Sequence, residues 1–252
     1  MPRDHFRHVE TWVFDLDNTL YSPEVRLFDR IEARMTRYVM DALAVTHAEA
    51  DRLRLKYWRE HGTTLAGLMQ EHGLAPEPYL EHVHDIPLDG LAPDTELHAR
   101  IRDLPGRKIV YTNGSAPYAA RVVDRRGLSG VFDAIYGVEH AGFRPKPHAQ
   151  AFGTVFDRDG LDPNKGAIFE DDPRNLAAPH AMGENPVDKQ AESHEHERTE
   201  YVPKDGARLI FRLVIVHDHN APDAVRQRKQ QPEEDAGVGA EVPGVIVGLG
   251  VV

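Results

Sequence analysis

A chain of 252 residues can bury one sizeable core beside a smaller domain, or form a single large α/β unit. Its composition, 40% hydrophobic and 28% charged, is that of a soluble globular protein, and no apolar run approaches the roughly 20 residues that span a bilayer. A formal charge of -11 argues against a nucleic-acid polymer as partner, and the absence of cysteine excludes disulfides, thiolate catalysis and cysteine zinc sites, leaving oxygen or imidazole to hold any metal.

The first residues, Met1-Pro2-Arg3-Asp4-His5-Phe6-Arg7-His8, are polar and lack the apolar stretch of a secretory signal, so the expected location is the cytoplasm. Thr11-Trp12-Val13-Phe14 reads as a buried strand. Ser22 before Pro23 fits a helix N-cap, and Thr46-His47-Ala48-Glu49 has the form of a capping box. Over residues 27–45 and 50–58, apolar residues recur at three- and four-residue spacing, as on half-buried helices. A helical insert over residues 22–91 follows, dividing a core made of residues 1–21 and 92–183. Within that core, strands over 108–111, 134–136 and 167–169 alternate with helical stretches over 116–126 and 148–158. The alternation predicts an α/β fold with a doubly wound, Rossmann-like parallel sheet. Beyond Gly183 the chain turns polar, and in residues 184–252 only 207–216 has strand character.

Chemistry collects at the strand ends, where open parallel sheets bind ligands. Asp15 and Asp17 follow the first strand, and two carboxylates so placed can share a hard divalent cation. Thr112-Asn113-Gly114-Ser115 follows the second, offering a hydroxyl and N–H groups to a phosphoryl oxygen. Arg144-Pro145-Lys146-Pro147 follows the third, with two prolines stiffening the backbone around one lysine. Glu170-Asp171-Asp172-Pro173 follows the fourth; three adjacent acids repel one another, and a bound cation would relieve them. Asp172 before Pro173 fits an N-cap, which leaves Asp171 as the better metal ligand. Taken singly, each motif also has a plainer reading as loop acids, a turn or a solvated lysine.

Together, Asp15-Leu16-Asp17-Asn18-Thr19, Thr112-Asn113-Gly114, Lys146 and Glu170-Asp171-Asp172 resemble the four motifs of the haloacid dehalogenase (HAD) superfamily of phosphohydrolases, over residues from about 10 to 183. The resemblance implies catalysis by Asp15 as nucleophile and Asp17 as acid/base. It implies that Thr112, the N–H groups around Asn113 and Gly114, and Lys146 bind the phosphoryl group. It also implies Mg²⁺ as cofactor, held by Asp15, Asp171 and the backbone carbonyl of Asp17. Dehalogenases of the superfamily lack the acid found here at Asp17, so phosphoryl transfer is the expected reaction, on a small-molecule phosphomonoester.

The insert takes the place of the superfamily's cap domain, and Tyr57 to Leu68 resembles the Tyr-Gly-Thr-Thr-Leu-x-Gly-Leu segment of pyrimidine 5'-nucleotidases, with His61 where that pattern often has tyrosine. Phe169-Glu170-Asp171-Asp172-Pro173-Arg174-Asn175-Leu176 resembles the same group's Phe-x-Asp-Asp-Ser-x-x-Asn-Leu. The implied reaction is hydrolysis of UMP or CMP to nucleoside and phosphate, with Gly62, Thr63 and Thr64 turned toward the site. Thr63 could equally cap the next helix, and Tyr57 and Trp58 are expected in the core. The alternatives are a sugar-phosphate phosphatase or phosphomutase, and a non-catalytic binding protein of the same fold. Relatives run from the helix ending near Met182-Gly183 into a last strand; here either residues 209–216 supply it after an excursion, or the tail is unrelated to the fold, as from a shifted reading frame. His194-Glu195-His196 and His217-Asp218-His219 are expected to be solvated rather than metal-binding. No motif indicates an oligomeric state.

Overall fold

In a computed structural model of the protein, the described residues are 6–183 and the strand 212–215. Strand β1 (Thr11–Phe14) is buried along its whole length. Its side chains alternate between two cores: Trp12 and Phe14 enter one hydrophobic cluster, Val13 the other. A strand hidden on both faces has no polar side to show, which is why it reads as an unbroken apolar run.

β1 pairs in parallel with β2 (Arg107–Tyr111) on one side and β4 (Gly166–Glu170) on the other, while β3 (Ala134–Tyr136) flanks β2. The register aligns Phe14 with both Val110 and Phe169. Asp15 therefore emerges level with Tyr111 and Glu170, and the carboxyl ends of three strands form one edge. A fifth strand, β5 (Arg212–Ile215), completes the order β3-β2-β1-β4-β5 but runs antiparallel to β4. The expected parallel sheet is thus found in β1 to β4, and β5 adds an antiparallel edge to it. An antiparallel edge strand needs no right-handed crossover to reach its place, so a returning tail can supply it. It lies inside the 207–216 window; the two His-acid-His runs lie outside the described residues.

Helices cover both faces. α6 (Ala116–Arg125) buries Tyr118, Ala119, Val122 and Val123 in the first cluster, and α7 (Ala149–Asp159) buries Ala151, Phe152, Val155 and Phe156 in the second. α5 (Thr95–Arg102) precedes β2, and the short α8 (Ala177–Gly183) ends the continuous segment.

Four more helices lie between β1 and β2: α1 (Leu27–Leu43), α2 (His47–His61), α3 (Thr64–His72) and α4 (Pro76–His84). Thr46 caps α2 by accepting the Glu49 N–H at 3.3 Å, while the Glu49 carboxylate pairs with Arg52 instead of closing the capping box. Ser22 caps a single 3₁₀ turn, Pro23–Val25, rather than a long helix. Tyr57 is fully buried, as expected, and its ring lies on Gly67: a Cβ there would stand 2.2 Å from the ring. Gly67→Ala should therefore destabilise the fold by about 1–3 kcal/mol through overpacking. Urea unfolding measures this, and a loss below ~0.5 kcal/mol would show that the ring moves aside freely. Among the described residues no helix is long and apolar enough to cross a membrane.

Candidate active site

The strand edge places a lysine between two buried carboxylates. Lys146 Nζ donates to Asp15 Oδ1 at 2.7 Å, to Glu170 Oε2 at 2.6 Å and to the Tyr111 carbonyl at 3.1 Å. All three side chains are buried. Burial works to discharge Lys146, but the adjoining charges of Asp15 and Glu170 outweigh it and hold the ammonium above its ordinary range. One positive charge cannot balance two carboxylates. The excess falls on Asp15, whose carboxyl is pushed well above the usual value by burial and then by Glu170, with Lys146 opposing.

Asp171, next along the chain, is pushed up to about 6 by burial and by the charge of Glu170. Oxygens of Asp15, Glu170 and Asp171 all lie within 4.8 Å of one another. An all-oxygen set with surplus negative charge fits Mg²⁺. Glu170 is largely spent on Lys146 and, through Oε1, on the Asp172 N–H at 3.3 Å. Asp172 caps the turn Pro173–Leu176, accepting the Arg174 N–H at 3.0 Å, as its sequence position suggests.

Asp17 lines the same cavity but is held by other partners. Its Oδ1 accepts the hydroxyls of Tyr21 at 2.5 Å and Tyr118 at 2.8 Å, so the two phenols fix the carboxylate on the cavity wall through one oxygen. Burial raises its pKa, with the two phenols opposing. Asn18 turns the chain after it at φ 60°, a left-handed conformation that asparagine tolerates better than most residues. Tyr118 is in turn stacked on His84, ring centroids 4.3 Å apart, and burial lowers His84 to about 4, so that it is neutral at physiological pH.

Thr112 Oγ1 accepts the Gly114 N–H at 3.0 Å, which leaves its own hydroxyl proton for a ligand. The Asn113 side chain brackets Lys146, accepting its N–H at 2.7 Å and donating to its carbonyl at 3.1 Å. One of the expected phosphate-binding donors, the Gly114 N–H, is thus engaged within the protein.

Gly62 ends α2 at φ 85°, where a Cβ would touch Pro145 at 3.4 Å and approach the Lys146 carbonyl at 3.8 Å. Thr63 is the N-cap of α3, its Oγ1 accepting the Ala66 N–H at 3.1 Å, and Thr64 is buried behind it. All three line one cavity of about 490 Å³ together with Asp15, Asp17, Thr112, Asn113, Gly114, Lys146, Glu170 and Asp171. Trp58 corrects its expectation: unlike Tyr57 it lies outside the core, on the cavity wall, with the Arg174 guanidinium 4.1 Å from its ring. α2 has two useful faces, one packed and one lining a cavity, and apolar spacing alone does not separate them.

Tyr21, Tyr118 and the pairing of Glu170 with Lys146 escape sequence reading. Tyr21 stands one turn beyond Asp17 and could have been suspected from that spacing; Tyr118 arrives from α6, and no local pattern signals it.

A doubly wound sheet whose strand ends converge an aspartate, a lysine, a threonine and further acids on one cavity defines an α/β protein with its site at the carboxyl edge of the sheet. The model of the haloacid dehalogenase-like hydrolases matches residues 9–183, well over half of the sequence, and the chain belongs to that family. Phosphate metabolism protein 8 of Saccharomyces cerevisiae is 27% identical over 212 residues, which is 78% of this chain and 66% of the yeast protein. The chain thus spans just under two thirds of that relative's length. Among solved structures, the HAD phosphatase of Thermococcus onnurineus is 18% identical with a TM-score of 0.46, covering 69% of this chain and 83% of its own. The HAD hydrolase YfnB of Bacillus subtilis, solved with magnesium, is 19% identical with a TM-score of 0.45, covering 69% and 84%.

Proposed function

We propose that the protein is a Mg²⁺-dependent phosphomonoesterase acting through Asp15, with pyrimidine nucleoside 5'-monophosphates as preferred substrates and helices α1 to α4 as the cap that selects them. The observation that carries the reading is the convergence of Asp15, Lys146, Thr112 and Asp171 on one cavity roofed by those helices.

In this mechanism Asp15 attacks phosphorus and the bond to the leaving oxygen breaks, giving an aspartyl-phosphate. Asp17 protonates the leaving oxygen, and burial, by raising its pKa, favours the protonated form that this step uses. The same group then takes a proton from the water that hydrolyses the aspartyl-phosphate. Lys146 and the Thr112 hydroxyl hold phosphoryl oxygens in place throughout. Mg²⁺, held by Asp15, Asp171 and the Asp17 carbonyl, would supply further neutralisation of the negative charge that otherwise keeps carboxylate and phosphate apart.

Phosphate release from UMP, CMP, AMP, glucose 6-phosphate and ribose 5-phosphate, with and without chelator, tests the reading. Release that is greatest for UMP and CMP and abolished by chelation is expected. Indifference to chelation overturns the metal-dependent mechanism; preference for sugar phosphates overturns the nucleotide reading alone.

Mg²⁺ should also raise the melting temperature, and more at pH 7.5 than at pH 5. Because the folded-state pKa of Asp171 is raised to about 6, its neutral form is favoured in the fold. Stability held below the ordinary carboxylate value is lost as pH climbs through 6, where the buried anion forms and a cation can relieve it. At about 100 times its Kd a ligand stabilises by ~2.7 kcal/mol, or about 5–10 °C for a chain of this size. An equal shift at both pH values, or none, would count against Asp171 as a ligand.

A further inference from the structure

Folding leaves three large apolar side chains substantially exposed among the described residues: Phe28 at 38%, Leu55 at 55% and Trp58 at 46%. Such residues scattered singly over a surface need no explanation. These are not scattered. Phe28 on α1 and Leu55 and Trp58 on α2 line the same cavity as Asp15 and Lys146.

The wall is held in place from both sides. Arg174, forked onto the Asp172 carboxylate, lays its guanidinium 4.1 Å from the Trp58 ring and so ties the indole to the loop after β4. Glu32, also on the wall, gives one oxygen to Arg54 at 3.0 Å, and half of its side chain stays exposed. Arg54 is fixed further by Thr36 at 2.6 Å and Asp51 at 3.3 Å. The roof thus combines a flat apolar surface with one anchored carboxylate, inside a volume in the range of small-molecule sites.

We propose that this wall is a base-recognition surface: the heterocycle of a nucleoside monophosphate lies against Trp58, Phe28 and Leu55, and its N–H donors reach Glu32. The inference rests on the phosphomonoesterase reading and assigns the side chains that would recognise the base, which the strand-end residues do not encode. A planar ring gains from burial and stacking on an aromatic platform, and a carboxylate accepts the amino group of cytosine or the imide of uracil. A sugar alone offers hydroxyls to Glu32 but nothing flat to Trp58.

CMP and ribose 5-phosphate share phosphate and sugar and differ in the base, so they isolate the wall. Trp58→Ala, and independently Phe28→Ala, should lower the ratio of kcat/KM for CMP to that for ribose 5-phosphate by about tenfold, the scale of one lost stacking contact. Glu32→Gln should lower it severalfold without loss of packing. A ratio within twofold of wild type in all three variants overturns the proposal. Binding gives a readout that needs neither turnover nor a variant. Trp12 is buried between Phe6 and Phe169, so Trp58 is the accessible indole, and CMP but not ribose 5-phosphate should quench the wild-type fluorescence. Absence of quenching with phosphate release from ribose 5-phosphate intact would refute the surface and spare the phosphomonoesterase. Quenching by CMP without phosphate release from any ester would do the reverse.

Discussion

Asp15→Asn is expected to reduce phosphate release by at least about 10⁴-fold on every substrate, the scale on which removal of a covalent nucleophile acts. The replacement is nearly isosteric and takes away the carboxylate charge that Lys146 Nζ holds at 2.7 Å. Lys146 keeps Glu170 and the Tyr111 carbonyl, so the fold should survive, and circular dichroism checks that it does. A variant within tenfold of wild type would show that some other group attacks phosphorus.

Lys146→Met should cost more in stability than any surface change, about 3–5 kcal/mol, because it strands Asp15 and Glu170 in a buried site with no countercharge. The penalty has a sign in pH. Asp15 is already raised by burial and by Glu170, and without Lys146 it rises further. Asp15 can then shed the cost by taking a proton, so the deficit should shrink toward pH 5 and grow toward pH 8. Urea unfolding at the two pH values measures it. A deficit below ~1 kcal/mol, or one independent of pH, would mean that the lysine contributes little to holding the carboxylates together.

Where the sequence is readable, burial explains why. β1, β2 and β4 are hidden on both faces and announce themselves as apolar runs, and the residues just past those runs must sit at the sheet's carboxyl edge. That single inference reaches Asp15, Thr112 and Asp171, and Lys146 by the same logic after β3. It does not reach partners that meet only in space. Tyr118 joins Asp17 from a helix a hundred residues away, and Glu170 pairs with Lys146 across two strand ends. Trp58 misleads because helical spacing reports that a face is apolar, not whether it meets a core or a cavity. The direction of β5 is hidden for a related reason: strand character in residues 207–216 says nothing of the path by which the chain returns to β4.

The bracket that Asn113 forms around the Lys146 backbone has a consequence for how the protein can change. Lys146 is thereby keyed to the end of β2 as well as to the stretch that follows β3. That stretch is pinned to the same strand end, the Val138 N–H donating to the Gly114 carbonyl at 2.9 Å and Glu139 Oε1 accepting the Ala116 N–H at 2.8 Å. The lysine and the turn after β2 are thus one mechanical unit, and a change of length in residues 137–144 would disturb both together.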